Sequence, residues 1–219
     1  MTSGETARVV DARVVELPPG EVLLRWNGIE VRGGYGSELA IDPSAAGHFY
    51  LLSDRGPNFD TAHVDQKGFA LPDFTPRIGR FRLEGEVLQR VEVIEMRDAA
   101  GKPLTGLPHP PGAGSTGETA VTLAGEALPF DPAGIDPEGM ATMPDGSFWI
   151  ADEYGPQLMH LDREGRIRER VSPWSRPRAL SPVLAMRRPN RGLEALGLLP
   201  DGATLAGITQ SPLDNPSVE

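Results

Sequence analysis

The 219-residue chain has no cysteine. That excludes a disulfide framework and any thiolate metal site, and leaves the redox compartment open. Its opening MTSGETARVV lacks a basic segment followed by an apolar stretch, so no secretory leader is expected. No apolar run approaches the length of a membrane span, and membrane insertion is not expected either. Cationic side chains are scarce: 21 Lys and Arg against 31 Asp and Glu give a formal net charge of −10. Nucleic acid and anionic membrane surfaces would be repelled at long range, whereas divalent cations would be attracted.

Missing motifs narrow the chemistry further. The Gly-x-Ser-x-Gly nucleophile elbow is absent, because GAGSTG puts Ala113 where the first Gly is needed, two before Ser115. With no thiol either, covalent esterase chemistry finds little support. The Gly-rich RGGYGS is not followed by Gly-Lys-Ser/Thr, so a P-loop is excluded. The four histidines (His48, His63, His109, His160) are scattered without zinc-ligand spacing, and only His109, in LPHPPG, stands on a loop with a route to a site.

What the chain does have is turn punctuation. Its 26 Gly and 22 Pro, spread along the length, favour many short strands over long helices. Three segments repeat: SELAIDPSAAGHFYLLSDRGP (37–57), PEGMATMPDGSFWIADEYGP (137–156) and LEALGLLPDGATLAGITQSP (193–212). Each has Glu at its second position (Glu38, Glu138, Glu194), then a short apolar strand, a Pro-containing turn, a second apolar strand and a polar group before Pro. In two copies a hairpin follows, IGRFRLEGEVLQRV (78–91) and LMHLDREGRIRERV (158–171), each with an acidic-Gly turn. One unit is therefore about four antiparallel strands, an inner pair led by the Glu and an outer hairpin. Repeated in sequence, such units predict an all-β, β-propeller-like array, with a sandwich or an irregular meander as the alternative.

The units lie near 33–95, 135–172 and 190–219, within a single domain spanning 1–219. The Gly/Pro-rich stretch 97–134 is long for a connection and is expected to form a functional loop or an elaborated hairpin over one face. The third unit stops at SPLDNPSVE before any outer hairpin, so the array is expected to be an incomplete propeller.

The acids carry the functional expectation. If each repeated Glu opens an inner strand, Glu38, Glu138 and Glu194 converge from different units. The second strands bring Asp54, Asp152 and Glu153 near the opposite end of the same pair. Convergent carboxylates cannot all stay ionised without a counter-charge. A bound Ca²⁺ would supply it, being a hard cation that takes six to eight oxygen ligands in flexible geometry. For the three glutamates, hydrogen bonding to backbone amides of a neighbouring unit is the equal alternative. Asp145, Asp162 and Asp201 read as turn formers, and Asp42 and Asp136, each before Pro, as turn caps. Arg55 and Arg191 stand beside these acids and would hold a phosphate or carboxylate oxygen, or pair with an acid of the next unit. Tyr154 either leans into the channel as a donor or packs between units.

Across residues 30 to 215, four stretches resemble the phytase-like proteins known as "esterase-like activity of phytase". They are GGYGSELAID…FYLLSDRGPN, TGLPHPPGAGSTGETAV, FDPAGIDPEGMATMPDGSFWIADEYGPQLMHLDREGRI and RRPNRGLEALGLLPDG…QSPLDNP. That resemblance implies a bacterial β-propeller protein, in a family whose members are usually longer and often exported. It also implies hydrolysis of an ester or phosphoester of a small molecule. The expected chemistry is metal-assisted, with Arg55, Tyr154 and Arg191 as catalytic groups and Glu38, Asp54, Glu138, Asp152, Glu153 and Glu194 around calcium. A non-catalytic calcium-stabilised binding module and a lactonase-like hydrolase use the same residues and remain open.

Overall fold

The computed structural model describes residues 13–214. These are all-β apart from one 3₁₀ turn, Pro182–Met186. Strands β1 (Val22–Trp26) and β2 (Ile29–Arg32) form an N-terminal hairpin. Strands β3 (Glu38–Ile41) and β4 (His48–Leu52) form the next, whose chain leaves through two short strands, β5 (Asn58–Asp60) and β6 (Gln66–Phe69). It returns as β7 (Arg77–Glu84) and β8 (Val87–Glu95), completing a first sheet in the order β3-β4-β7-β8. After β9 (Thr119–Val121) comes a middle sheet in simple sequence order: β10 (Pro137–Thr142), β11 (Phe148–Asp152), β12 (Gln157–Leu161) and β13 (Ile167–Val171). Strands β14 (Leu193–Leu198) and β15 (Leu205–Thr209) end the series as a C-terminal hairpin.

The stretch 97–134 is more than a loop. Its β9 pairs in parallel with β6, and β5 pairs antiparallel with β6, giving a small three-stranded mixed sheet. Phe69, Leu107 and Ala120 form a satellite core beneath it.

The middle sheet is buried on both faces, which explains the uninterrupted apolar run of β11. Phe148 and Ile150 point to a core shared with the first sheet, where Leu52, Ile78, Ile94 and Met96 meet Met140, Met159 and Leu161. Trp149 and Ala151 point the other way, to a core shared with Leu193 and Leu196 of β14. Each such aliphatic or aromatic side chain, once fully buried, stabilises the fold by roughly 1.5–3 kcal/mol. The first sheet instead has a thinner outer core of Tyr35, Leu51, Phe81 and Leu88, and leaves Leu39 and Ile41 of β3 exposed.

The leading strands stand together: β10 packs against β3 and β4 on one side and against β14 on the other. The approach to β14 is very close. A Cβ on Gly139 would come within 2.6 Å of the Leu196 backbone nitrogen, so no larger residue fits without parting the strands. The outer edges differ in character. β8 carries Arg90, Glu92 and Glu95, and β13 carries Arg168, Glu169 and Arg170. β15, LAGIT, carries no charge and pairs among the described residues only with β14. No helix of the described residues is long and apolar enough to cross a membrane.

Candidate metal centre

At the end of the strands away from the β3–β4 and β10–β11 turns, the register of two hairpins slips by one residue. In the middle sheet Pro137 faces Asp152 and Gly139 faces Ala151, leaving Glu138 as the extra residue. In the C-terminal hairpin Leu193 faces Thr209 and Ala195 faces Ile208, leaving Glu194 extra. A bulge of this kind re-aims one side chain out of the normal alternation. The β3–β4 ladder has no slip: Glu38 faces Leu52 in regular register, and its carboxylate accepts a 2.9 Å bond from the Leu39 amide. The three repeated glutamates therefore separate into two bulged and one regular.

Glu138 meets Asp136 and Glu153, with one carboxylate oxygen from each lying within 4.8 Å of the others. Burial pushes Glu138 up to about 9, helped by the charges of Asp136 and Glu194, while the neighbouring Ser37 side chain opposes the shift. Burial, then Asp136 and Glu194, push Glu153 up to about 8. Asp136 is raised to about 7 by burial, which outweighs the opposing charge of Arg55. Asp54 is also raised by burial, although the Gly56 amide bonds to its Oδ1 at 2.9 Å. Two carboxylate oxygens here are buried with no hydrogen-bond partner, Oε1 of Glu153 and Oε2 of Glu194. Glu153 is only 5% exposed, so water does not compensate that oxygen.

The neighbouring residues are already engaged. Asp152 holds the turn together: its Oδ1 accepts from the Asp136 and Tyr154 amides at 2.7 and 3.3 Å, and its Oδ2 from Gln157 Nε2 at 2.5 Å. Arg55 reaches Asp136 Oδ2 at 3.3 Å and Glu118 Oε2 at 2.9 Å, and also donates to the Tyr154 hydroxyl at 3.2 Å. Burial opposes its charge, but Asp136, Tyr154 and Glu118 hold it firmly protonated. Tyr154 is fully buried, donates to the Gly106 carbonyl at 2.6 Å, and is raised well above an ordinary phenol by burial. Arg191 is exposed and bonds the Gln210 side chain, yet lies close enough to Glu153 to favour its ionised form. His109 presents both ring nitrogens to carbonyls, of Gly114 at 3.2 Å and Gly134 at 2.7 Å, and is occupied in holding its loop.

Because the paired strands are antiparallel, the end of β11 lies beside the start of β10 and not at the opposite end as expected. Of the six acids, Glu138 and Glu153 share one point, with Glu194 and Asp54 within electrostatic reach. Asp152 stands beside them as a loop clamp, and Glu38 turns to its own strand. Two residues escaped the sequence reading. Asp136, expected as a turn cap, is buried at the heart of the cluster. One signal was present: it occupies the place held by Gly36 and Gly192 in the sister copies, two before the repeated Glu. Glu118 lies in the long connection with no local signal at all. A cleft of about 720 Å³ also opens between the two four-stranded sheets, lined by Arg80, Glu92, Arg97 and Arg163. It lies beside Ser44 and Asp145 at the opposite, turn end of the strands, so size alone does not mark the acidic centre.

The donor set is all oxygen, and two of its oxygens are orphaned in the interior. That chemistry fits a hard divalent cation and does not fit a soft one. Comparison with known proteins adds a family. The model of the phytase-like family, described as "esterase-like activity of phytase", matches residues 31–219. The chain is also similar to an uncharacterized secreted protein of Arthroderma benhamiae, 27% identical over 236 residues. That match covers 84% of this chain and 45% of the relative, so the chain spans less than half of that protein's length.

Proposed function

The chain belongs to the phytase-like family, and from that premise we propose that it is a cation-dependent hydrolase of an ester or phosphoester bond on a β-propeller-like frame. The observation that carries the reading is the pair of orphaned carboxylate oxygens, on Glu153 and Glu194, beside the Asp136–Glu138–Glu153 cluster. The propeller reading is supported by two four-stranded antiparallel sheets whose leading strands, β3 and β10, lie side by side with β14. The relative's description as secreted supports export of this chain too.

In this reading Glu138 and Glu153 hold calcium, with Glu194 and Asp54 supplying further negative charge. When bound, the ion would neutralise these acids, polarise a phosphoryl or carbonyl oxygen and acidify water. Arg191, at the exposed rim, meets an anionic oxygen of the substrate. Arg55 and Tyr154 are positioning residues: their donors are committed to Asp136, Glu118 and Gly106, and they fix the floor on which Glu153 stands. That commitment also favours a second reading, a calcium-stabilised binding module without turnover.

Calorimetric titration of calcium into the chelator-treated protein, with a panel of aryl phosphate, aryl ester and lactone, tests both. Saturable binding in the wild type, at least tenfold weaker in Glu138→Gln, with turnover abolished by chelator, is the expected result. A folded protein that takes up no calcium sinks the metal-centred reading. Binding without turnover of any panel member selects the binding module.

A further inference from the structure

Glu138 and Glu153 belong to the middle sheet, Glu138 in the β10 bulge and Glu153 directly after β11. Glu194 belongs to a different structural unit, the C-terminal hairpin, where it occupies the matching bulge of β14. Its Oε2 is buried and unpartnered, as is Oε1 of Glu153 in a residue 5% exposed. Glu194 stands outside the triad whose oxygens lie within 4.8 Å of one another, but its strand is pressed on that of Glu138 where a Gly139 Cβ would come 2.9 Å from the Ala195 Cα, and it lies within electrostatic reach of both Glu138 and Glu153. Two hairpins thus bring buried, orphaned carboxylate oxygens to one junction, on Glu153 and Glu194, and in each hairpin a glutamate, Glu138 or Glu194, is displaced from the ladder.

We infer that a cation at this centre is a clasp between sheets, with Glu194 as a ligand beside Glu138 and Glu153, so that occupancy fastens the β14–β15 hairpin onto the middle sheet. The inference rests on the cation site proposed above and adds its structural consequence. The rest of this junction is apolar: Ala141, Trp149, Ala151 and Val171 of the middle sheet pack on Leu193 and Leu196 of β14. The backbone at the centre is joined by the Gly192 amide donating to the Glu153 carbonyl at 2.9 Å. Gly139 brings β10 against the β14 backbone, which forces the carboxylates of the two units together rather than letting them part. Carboxylates gathered at this junction cannot all be ionised unless a cation lies between them. Glu38 takes no part in this, because it stays in its regular ladder.

Hydrogen exchange followed by mass spectrometry, on the whole chain with calcium or with chelator, reads the clasp without reference to activity. At neutral pH, amides of 193–209 should exchange at least tenfold faster in chelator, while those of 78–95 in the first sheet stay unchanged. Glu194→Gln keeps shape and volume; it should weaken calcium binding about tenfold in calorimetry and erase the calcium dependence of exchange in 193–209. Glu38→Gln should change neither. Calcium binding with equal exchange of 193–209 in both conditions overturns the clasp while leaving the site intact. Full-strength binding by Glu194→Gln overturns it too, by removing Glu194 from the ligand set. No binding by the wild type overturns the site and the clasp together.

Discussion

Glu38 and Glu138 stand at the same place in two copies of one strand pair, and the residues after them follow the same plan. Yet Glu38 bonds its own neighbour in a regular ladder, while Glu138 is displaced by a bulge into a cluster with Asp136 and Glu153. The residue after each shows why. Leu39 is 52% exposed, whereas Gly139 is pressed against the β14 backbone. The first sheet has a neighbour on one side of β3, and the middle sheet has neighbours on both sides of β10. Glu138 joins a buried cluster where its strand is enclosed, and Glu38 stays in its ladder where its strand is open. The sequence motif supplies the carboxylate, and packing decides whether that carboxylate lacks a counter-charge.

The comparison breaks most readily at Arg55. Arg55→Met removes the cation facing Asp136 and Glu118 in the interior and should destabilise the fold by about 3–5 kcal/mol. Arg82→Met, which breaks the exposed Arg82–Glu84 pair of the first sheet, should cost less than about 1 kcal/mol. Urea unfolding measures both. Comparable losses would mean that enclosure is not what distinguishes the sheets.

Next comes pH. In chelator, Glu138 and Glu153 hold their protons in the folded state up to about 9 and 8, against 4.5 when unfolded. The folded protein therefore binds more protons than the unfolded chain between those limits, and stability falls as pH rises through that window. Tm of the chelator-treated protein should drop by roughly 5 °C or more from pH 5 to pH 9. Added calcium should raise Tm more at pH 9 than at pH 5. A Tm that climbs toward pH 9 in chelator contradicts the raised carboxyls.

Gly139→Ala should cost about 1–3 kcal/mol, since its Cβ meets backbone rather than a side chain able to move. At the matching place in the first sheet, Leu39→Ala should stay within about 0.5 kcal/mol. The smallest effect is expected of Glu38→Gln, also within about 0.5 kcal/mol. A larger loss there would show that Glu38 is held by more than the Leu39 amide.

The strand plan was legible because its determinants are local. Gly85 and Gly165 take φ values of 62° and 81° in the two outer hairpin turns, which is what the acidic-Gly signal predicts. The apolar run of β11 read as a buried strand because burial on both faces leaves no alternation to see. The mixed sheet was not legible: β6 and β9 pair in parallel through residues some fifty positions apart, and neither strand carries a distinctive pattern. The acidic centre was half legible. Glu138, Glu153 and Glu194 stood out by repetition and by position after buried strands. Asp136 resembled an ordinary acid before Pro, and its burial is made tolerable by Arg55, 81 residues earlier in the chain. Pairings at that range leave no trace in spacing. The bulges that separate Glu138 and Glu194 from Glu38 were equally silent, since a slip of one residue is set by what packs alongside.

The uncharged edge of β15 has a consequence for how the protein behaves as a colloid. Two sheets end in strands studded with both signs of charge, which discourages another strand from adding to them. Among the described residues the C-terminal hairpin ends in LAGIT, with Ile208 68% exposed, and has no such guard. In dilute buffer a net charge of −10 keeps molecules apart, because a Debye length of ~30 Å at 0.01 M salt lets them feel one another before edges meet. At physiological salt that reach shrinks to ~8 Å, and only local features then govern contact. Samples are therefore best concentrated at low ionic strength, and a single lysine placed outward on β15 is the simplest way to keep them monodisperse.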